Sequence, residues 1–237
     1  MSRPFLTAEW KHLCLITYAV PAGKLQRVIP RGLDLDQKDG QAFVSLVAFQ
    51  FVNTRVFGIA WPGFRGFPEL NLRTYVRQGN ERGVLFLREI VPSRLVSSIA
   101  HRFYNEPYVA APLTYQVHES AAEISAHCQL NWAGRQSTFS MVVENRRSQP
   151  LSGSREHYFK EHQWGYGRDR RGWPTRFEVI HPVWEIAPVK RIEMNFDFAC
   201  VYGQEWAVLN RLQPCSVMFA LGSYVEVLRA QICRPLG

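Results

Sequence analysis

The sequence predicts an α+β fold in which antiparallel strands predominate. Three observations lead to this prediction. Residues 69–77 alternate strictly between two kinds of side chain, with the period of a strand. Residues 113–118, 122–130 and 137–144 also alternate and are separated by short breaks, which is typical of a meander of neighbouring strands. Helical spacing of apolar residues is confined to short stretches between such runs.

The other elements follow from local patterns of apolar residues, caps and breakers. Further strands are expected at residues 11–20, 42–51, 84–91, 175–181, 183–198 and 216–232. Short helices are expected after Pro21, after Ser93 with apolar residues up to Phe103, from Ser154 to about His162, and at residues 204–212. Residues 165–174 predict a loop because glycine, proline and charged residues are concentrated there.

The composition favours one domain covering residues 1–237. Hydrophobic residues make up 46% and aromatic residues 13% of the chain, which is enough for a large core. No linker divides the sequence, and domains rich in strand reach this length. No stretch approaches the roughly 20 apolar residues that cross a bilayer, so we expect no membrane partner.

The net charge of +8 raises the question of a nucleic-acid partner. Most of the cationic residues are arginine, whose planar group pairs well with carboxylates and phosphates. These residues are spread along the chain, and no nucleic-acid recognition motif accompanies them. We therefore expect no nucleic-acid partner. Binding of nucleic acid would weaken steeply with salt, whereas binding in a buried pocket would be less sensitive to it.

The five cysteines are odd in number, widely spaced and without a C-x-x-C pair. This pattern favours reduced thiols in a cytoplasmic protein over a disulfide framework or a zinc site. Phosphate-binding loops and dinucleotide fingerprints are absent from the sequence, and the Gly165-Tyr166-Gly167 segment lacks the third glycine. We expect no cofactor.

The strand predicted at residues 69–77 carries the most informative pattern. Glu69, Asn71, Arg73, Tyr75 and Arg77 share one face of it. One interpretation is a strand with a solvated side, as antiparallel sheets commonly have. The other is that this face lines a polar cavity, where Arg73 would hold a carboxylate or enolate and Glu69 would orient Arg73 or move protons.

A second segment, residues 156–167, combines acids, two histidines and several aromatic residues. Such density is expected either of a pocket wall or of a structural helix that packs its aromatic side chains on the sheet. His157 and His162 are five residues apart, so on a helix they would point in different directions. No H-E-x-x-H motif is present, and we expect no metal site.

Several motifs together identify a resemblance to a known family. They are PRGLDLD at residues 30–36, GQAFVS at 40–45, FPELNLRTYVR at 67–77, Pro107-Tyr108 and the Trp164-Gly165-Tyr166 region. The chain resembles the YqjF-like family of uncharacterised bacterial proteins, which is grouped with the acetoacetate decarboxylase-like superfamily. This resemblance implies a highly curved antiparallel sheet that closes into a barrel-like cone, with helices outside and a pocket within.

The resemblance also implies a site. Acetoacetate decarboxylases form a Schiff base through one lysine of an adjacent pair, with glutamate and arginine nearby. This chain has no Lys-Lys pair and no lysine between Lys38 and Lys160, so Schiff-base decarboxylation is not expected. Glu69 and Arg73 are the predicted catalytic residues. The predicted substrate-binding residues are Asn71, Tyr75, Tyr108, His162, Trp164 and Tyr166.

Two functions remain open at this point. The first is a protein that binds a small anionic or carbonyl-bearing metabolite and acts on it by lyase-like or other acid-base chemistry without lysine. The second is a ligand-binding or sensory module without catalysis. Exposed strand edges also leave open a homo-oligomer.

Overall fold

A computed structural model describes residues 3–98, 107–168 and 173–233. The strands are β1 (Leu6–Val20), β2 (Asp34–Leu35), β3 (Ala42–Val56), β4 (Gly66–Gln78), β5 (Glu81–Val91), β6 (Tyr108–Ala110), β7 (Leu113–Glu119), β8 (Glu123–Trp132), β9 (Arg135–Glu144), β10 (Trp164–Arg168), β11 (Pro174–Ile180), β12 (Ile186–Ala187), β13 (Val189–Asn195), β14 (Ser216–Val227) and β15 (Gln231–Ile232). The helices are α1 (Ala22–Gln26), α2 (Arg155–Lys160) and α3 (Phe198–Tyr202), with a 3₁₀ helix at Gln204–Asn210 and further helical residues at 94–98. Across these described ranges, no helix has the length and apolar character that a membrane span requires.

Seven strands form a closed ring. The hydrogen-bonded order is β1, β3, β4, β5, β10, β11 and β14, and β14 pairs again with β1. Every pair in the ring is antiparallel except β5 and β10, which run parallel. The predicted fold class, mainly antiparallel with a strongly curved sheet that closes on itself, is therefore confirmed.

Irregularities in the strands accompany this curvature. The pairing of β1 with β3 shifts register between Thr7 and Glu9 and again between Lys11 and Cys14, where His12 has a positive φ of 57°. The pairing of β4 with β5 shifts between Leu72 and Arg73. Such bulges bend a strand and increase its twist, which a long strand needs in order to follow a closed ring.

A second sheet packs against the outside of the ring. It contains β13, β9, β8 and β7 in that order, so the predicted meander is confirmed. Phe139 and Met141 on its inner face belong to one buried cluster with Leu70 and Leu72 of β4. Because neighbours on a strand point to opposite faces, this packing directs Glu69, Asn71 and Arg73 to the inside of the ring.

Three predicted elements differ from the structure. The region predicted as a loop from residue 165 begins with β10, which pairs with β5 through Tyr166 and with β11 through Arg168. The strand predicted at 183–198 is divided at Pro188, and Asp197 caps α3 by accepting a hydrogen bond from the Cys200 amide. The last predicted strand ends at Val227 and resumes only as β15. Residues 99–103 of the helix predicted after Ser93 lie outside the described residues.

Gly222 gives a test of the ring closure at the β14–β1 seam. It has a φ of 80°, and a β-carbon there would lie 1.8 Å from the carbonyl oxygen of Trp10. We expect Gly222→Ala to lower the free energy of unfolding by about 3 kcal/mol, from backbone strain together with steric overlap. Urea unfolding measures the change.

Gly79→Ala is the matched control for this prediction. Gly79 also has a positive φ, 60°, but nothing lies within 4 Å of the added carbon. Backbone strain alone should cost about 1 kcal/mol. Equal losses in the two variants would contradict close packing at the seam.

Candidate functional site

The interior of the ring contains a cavity of about 100 Å³. Most of its walls are apolar, with phenylalanine and aliphatic side chains from β1, β3, β4, β5 and β11. The polar groups that line it are Thr54, Glu69, Asn71, Arg73, Glu89 and Tyr108. The cavity is thus more apolar than the polar pocket expected from the sequence, with its polar groups concentrated on neighbouring strands.

Four aromatic side chains form a contiguous cluster in the apolar walls, which we call the aromatic box: Trp10, Phe49, Phe51 and Phe67. The rings of Phe51 and Phe67 are stacked with centroids 4.6 Å apart. Phe49 lies 5.1 Å from Phe51 and 5.2 Å from Trp10. These separations are within the range of favourable ring contacts, so the box is a packed surface.

The polar wall crosses three adjacent strands. Glu69, Asn71 and Arg73 come from alternate positions of β4, so they share the inner face. Glu89 on β5 lies directly opposite Asn71, and Tyr108 on β6 lies beside Glu89. Pairing of these strands therefore places two carboxyl groups, an amide, a phenol and a guanidinium on one wall of the cavity.

Glu69 is buried and holds two hydrogen bonds in this wall. Nδ2 of Asn71 donates to its Oε1 at 2.9 Å, and the hydroxyl of Tyr108 donates to its Oε2 at 2.8 Å. Burial raises the pKa of Glu69 to about 7, while these two hydrogen bonds and the charge of Arg73 lower it by less. This upward shift brings the pKa of the carboxyl group closer to the range that general acid-base catalysis uses.

Arg73 is also buried, but its partner is not a carboxylate. Its Nη2 donates to the main-chain carbonyl of Phe159 at 3.1 Å, and its Nε has no hydrogen-bond partner among the described residues. Glu69 is four residues away on the same strand, about 13 Å along it, and the two form no ion pair. The positive charge of Arg73 is therefore not neutralised by an adjacent acid in the described parts of the chain.

Tyr75 and His162 lie near Arg73 but outside the lining of the cavity. The hydroxyl of Tyr75 shares a hydrogen bond with Ser45, and its ring lies 5.2 Å from that of His162. Burial, followed by the charges of Arg73 and Arg82, lowers the pKa of His162 well below its usual range. His162 is therefore neutral at pH 7. It lies, together with Glu178 and His181, along a separate open groove.

Trp164 and Tyr166, predicted as substrate-binding residues, do not line the cavity. Both are on β10 and pack with Leu85 in a separate apolar cluster. Gly165, between them, faces the other way, and a β-carbon there would lie 2.3 Å from the ring of Phe177. Phe177 thus occupies the space over β10 and lines the cavity in place of the two predicted residues.

The buried charged groups outside the predicted site include Glu89 and Lys160. Glu89 is a charged residue near the end of a mostly apolar strand. A charged residue among apolar neighbours on a strand could have identified Glu89 as a candidate from the sequence. Lys160 has a fully buried side chain that pairs with Glu161 and lies 6.0 Å from the Trp184 ring. Burial lowers the pKa of Lys160, but it does not line the cavity, which contains no lysine among its described lining residues.

Comparison with known proteins decides the family. The DUF2071 model, described as an uncharacterized conserved protein, matches residues 7–223. The chain belongs to the DUF2071 family. The uncharacterized protein YqjF of Bacillus subtilis (strain 168) is 34% identical over 105 residues, which span 44% of this chain and 43% of YqjF. This DUF2071 protein is therefore similar to YqjF, as the motifs predicted, and it shares the fold of acetoacetate decarboxylase-like structures.

Solved structures share the fold of this DUF2071 protein at low identity. The enduracididine biosynthesis enzyme MppR, complexed with the condensation product of pyruvate and imidazole 4-carboxaldehyde, matches with a TM-score of 0.68 and 15% identity, over 100% of this chain and 92% of MppR. Acetoacetate decarboxylase from Legionella pneumophila matches with a TM-score of 0.65 and 11% identity, over 99% and 89%. An acetoacetate decarboxylase-like enzyme from Sphingomonas wittichii RW1 matches with a TM-score of 0.65 and 12% identity, over 99% and 95%.

The raised pKa of Glu69 predicts a pH-dependent stability. Between pH 4.5, the ordinary pKa of a glutamate, and about pH 7, the pKa of Glu69 in the folded protein, the folded protein retains a proton that the unfolded chain has released. The free energy of unfolding should therefore fall as pH rises through this window, by roughly 3 kcal/mol from this group. Glu69→Gln should remove that loss, as measured by urea unfolding at pH 5 and pH 8.

Glu193→Gln serves as the control, because Glu193 is exposed on β13. The stability of the Glu193→Gln protein should change with pH as that of the wild type does. If the Glu69→Gln protein also changes in this way, then Glu69 titrates as an ordinary carboxylate and the assigned burial effect is wrong.

Proposed function

We propose that this DUF2071 protein binds a small anionic or carbonyl-bearing metabolite in the cavity of the ring. In this proposal Arg73 holds the anion, and Glu69 donates or accepts a proton. The observation that carries it is the placement of both groups on one wall of the same cavity, without an ion pair between them. Asn71 and Tyr108 act as polar contacts that hold the carboxyl group of Glu69.

The surroundings of Arg73 favour an anionic ligand. A buried charge is costly unless it is paired, and the described residues give Arg73 one carbonyl acceptor and no carboxylate. A ligand carboxylate or enolate would supply the missing negative charge. It would also accept a hydrogen bond from Nε of Arg73, which has no partner among the described residues. Charge-assisted bonds of this kind are about twice as strong as neutral ones, so the ligand gains both affinity and orientation.

The properties of Glu69 favour acid-base chemistry on that ligand. A carboxyl group with a pKa near 7 protonates and deprotonates readily at neutral pH, which suits a general acid or base. Without a lysine in the described lining, the chemistry would be lyase-like or another acid-base reaction on a small keto or carboxylic acid. No Schiff base would form in the cavity.

The ligands and activities of structurally similar proteins support the ligand class. MppR has been solved with pyruvate, which carries both a carboxylate and a carbonyl group. Other structures with this fold are acetoacetate decarboxylases.

The five free cysteines support a cytoplasmic protein acting on soluble metabolites.

A second candidate function is a ligand-binding or sensory module without catalysis. The lack of lysine among the described lining residues favours this second function, because Schiff-base chemistry like that of acetoacetate decarboxylases needs a lysine in the cavity. The two functions differ in turnover. Assay of the bound acid over time, with the wild type and Glu69→Gln, separates them: only an enzyme converts the acid and slows on substitution.

Anion binding tests the proposal directly. We expect Arg73→Gln to weaken binding of pyruvate or acetoacetate by about a hundredfold, because loss of the guanidinium removes the charge that holds the carboxylate. Isothermal titration calorimetry measures the affinity, and a thermal melt verifies that the variant is folded.

Arg77→Gln is the matched control, since Arg77 is on the same strand but exposed. It should bind as the wild type does. Equal weakening by both variants would indicate a general effect of surface charge, and unchanged binding in a folded Arg73→Gln protein would refute the assigned role of Arg73.

A further inference from the structure

We infer that a groove on the outer surface of the ring is a second ligand site, which binds an organic monocarboxylate. The groove, called the outer groove below, measures about 340 Å³ and lies where β5 and β10 meet the helical residues 198–210. Its lining includes Val28, Leu85, Arg88, Arg168, Tyr202 and Trp206. This site goes beyond the proposed function and does not depend on it.

The outer groove lies on the opposite side of the sheet from the cavity. Tyr202 and Trp206 belong to the buried cluster that contains Leu70 and Leu72, on the outer face of β4. The polar groups that line the groove are different from those that line the cavity. A ligand in the groove therefore has its own set of polar contacts.

Two arginines supply the positive charge of the outer groove. Leu85 of β5 pairs in parallel with Tyr166 of β10. Arg88 follows three residues after Leu85, and Arg168 two residues after Tyr166, so both come from the same end of these neighbouring strands. Adjacent strands are only about 5 Å apart, so the two guanidinium groups reach one groove.

Main-chain carbonyls hold both guanidinium groups at the groove. Arg88 donates to the carbonyl of Val201, and Arg168 donates to the carbonyl of Val28. Arg88 forms no ion pair with any residue that the structure describes. A guanidinium has five N–H groups in a planar fork, so Arg88 retains donors that match a carboxylate.

Tyr202 provides a buried hydroxyl in the same lining. Its side chain is 4% exposed, and the hydroxyl has no hydrogen-bond partner among the described residues. Burial raises the pKa of Tyr202 well above its usual range, so the hydroxyl keeps its proton and can donate it to an acceptor. A buried hydroxyl without a partner is costly, and a ligand carboxylate would supply the acceptor.

The remaining lining defines the rest of the ligand. Glu205 adds one negative charge beside the two arginines, so a ligand with a single negative charge balances the described lining. Val28, Leu85 and Trp206 contribute apolar surface. A carboxylate alone would leave most of the groove unfilled, whereas volumes above about 300 Å³ are typical of sites for larger organic ligands.

Three naphthalene derivatives test this inference in the whole protein. Their bodies exceed the cavity of about 100 Å³ and fit the outer groove. 2-Naphthoate carries one charge, 2-naphthamide has the same shape without charge, and 2-naphthyl phosphate carries close to two charges at pH 7.5. By calorimetry we expect 2-naphthoate to bind at least tenfold tighter than the amide and no weaker than the phosphate.

Arg73→Gln separates the outer groove from the cavity. Its affinity for 2-naphthoate should equal that of the wild type, because Arg73 lines the cavity and not the groove. Loss of 2-naphthoate binding in a folded Arg73→Gln protein would overturn the inference. Equal binding of the carboxylate and the amide, or binding of neither, would also overturn it. Tighter binding of the phosphate would refute the carboxylate head group.

Variants of the groove locate the bound acid. Arg168→Gln should weaken 2-naphthoate binding about tenfold, and Tyr202→Phe, which removes only the hydroxyl, about fivefold. Arg191→Gln is the matched control and should bind as the wild type does, because Arg191 is exposed on β13, outside the groove. Thermal melts verify folding. Unchanged binding in folded Arg168→Gln, or equal weakening by Arg191→Gln, would refute the outer groove as the site.

Discussion

Arg73 lies buried in the wall of the cavity, and the main-chain carbonyl of Phe159 holds its guanidinium in place of a carboxylate. A buried cation with so few partners costs stability, and folds tolerate such an arrangement mainly where it serves binding or catalysis. The other features of the site follow from it. Glu69 stays four residues away with its pKa raised by burial, and His162, whose pKa is lowered by burial and by the charge of Arg73, adds no second positive charge beside the arginine.

The carbonyl that holds Arg73 is itself positioned by helix α2. Arg82 pairs with Asp36 at 2.7 Å and stacks on the ring of Tyr158, the first of two neighbouring aromatic residues in that helix. The hydroxyl of Tyr158 donates to the carbonyl of Asp36, which ties the helix to the segment after β2. These contacts hold the helix that carries the Phe159 carbonyl, so the aromatic segment that the sequence singled out supports Arg73.

Strand periodicity predicted the polar wall because the alternation of β4 is a local property. It placed Glu69, Asn71 and Arg73 on one face, and packing of Leu70 and Leu72 against the second sheet made that face the inner one. The other wall could not be predicted in this way. Trp164 and Tyr166 face away because Gly165 receives the ring of Phe177, its partner in the pairing of β10 with β11. The aromatic box likewise combines residues from β1, β3 and β4, which only the tertiary pairing brings together.

Proton uptake on ligand binding tests most directly whether Arg73 and Glu69 act on one ligand. Calorimetric titration of a short carboxylate at pH 7.5, in two buffers with different ionisation enthalpies, measures the number of protons exchanged. An anion bound beside Glu69 raises the pKa of that group further, so the wild type should take up a fraction of a proton and Glu69→Gln should take up none. Equal proton exchange in the two proteins, or none in the wild type, would contradict a shared site.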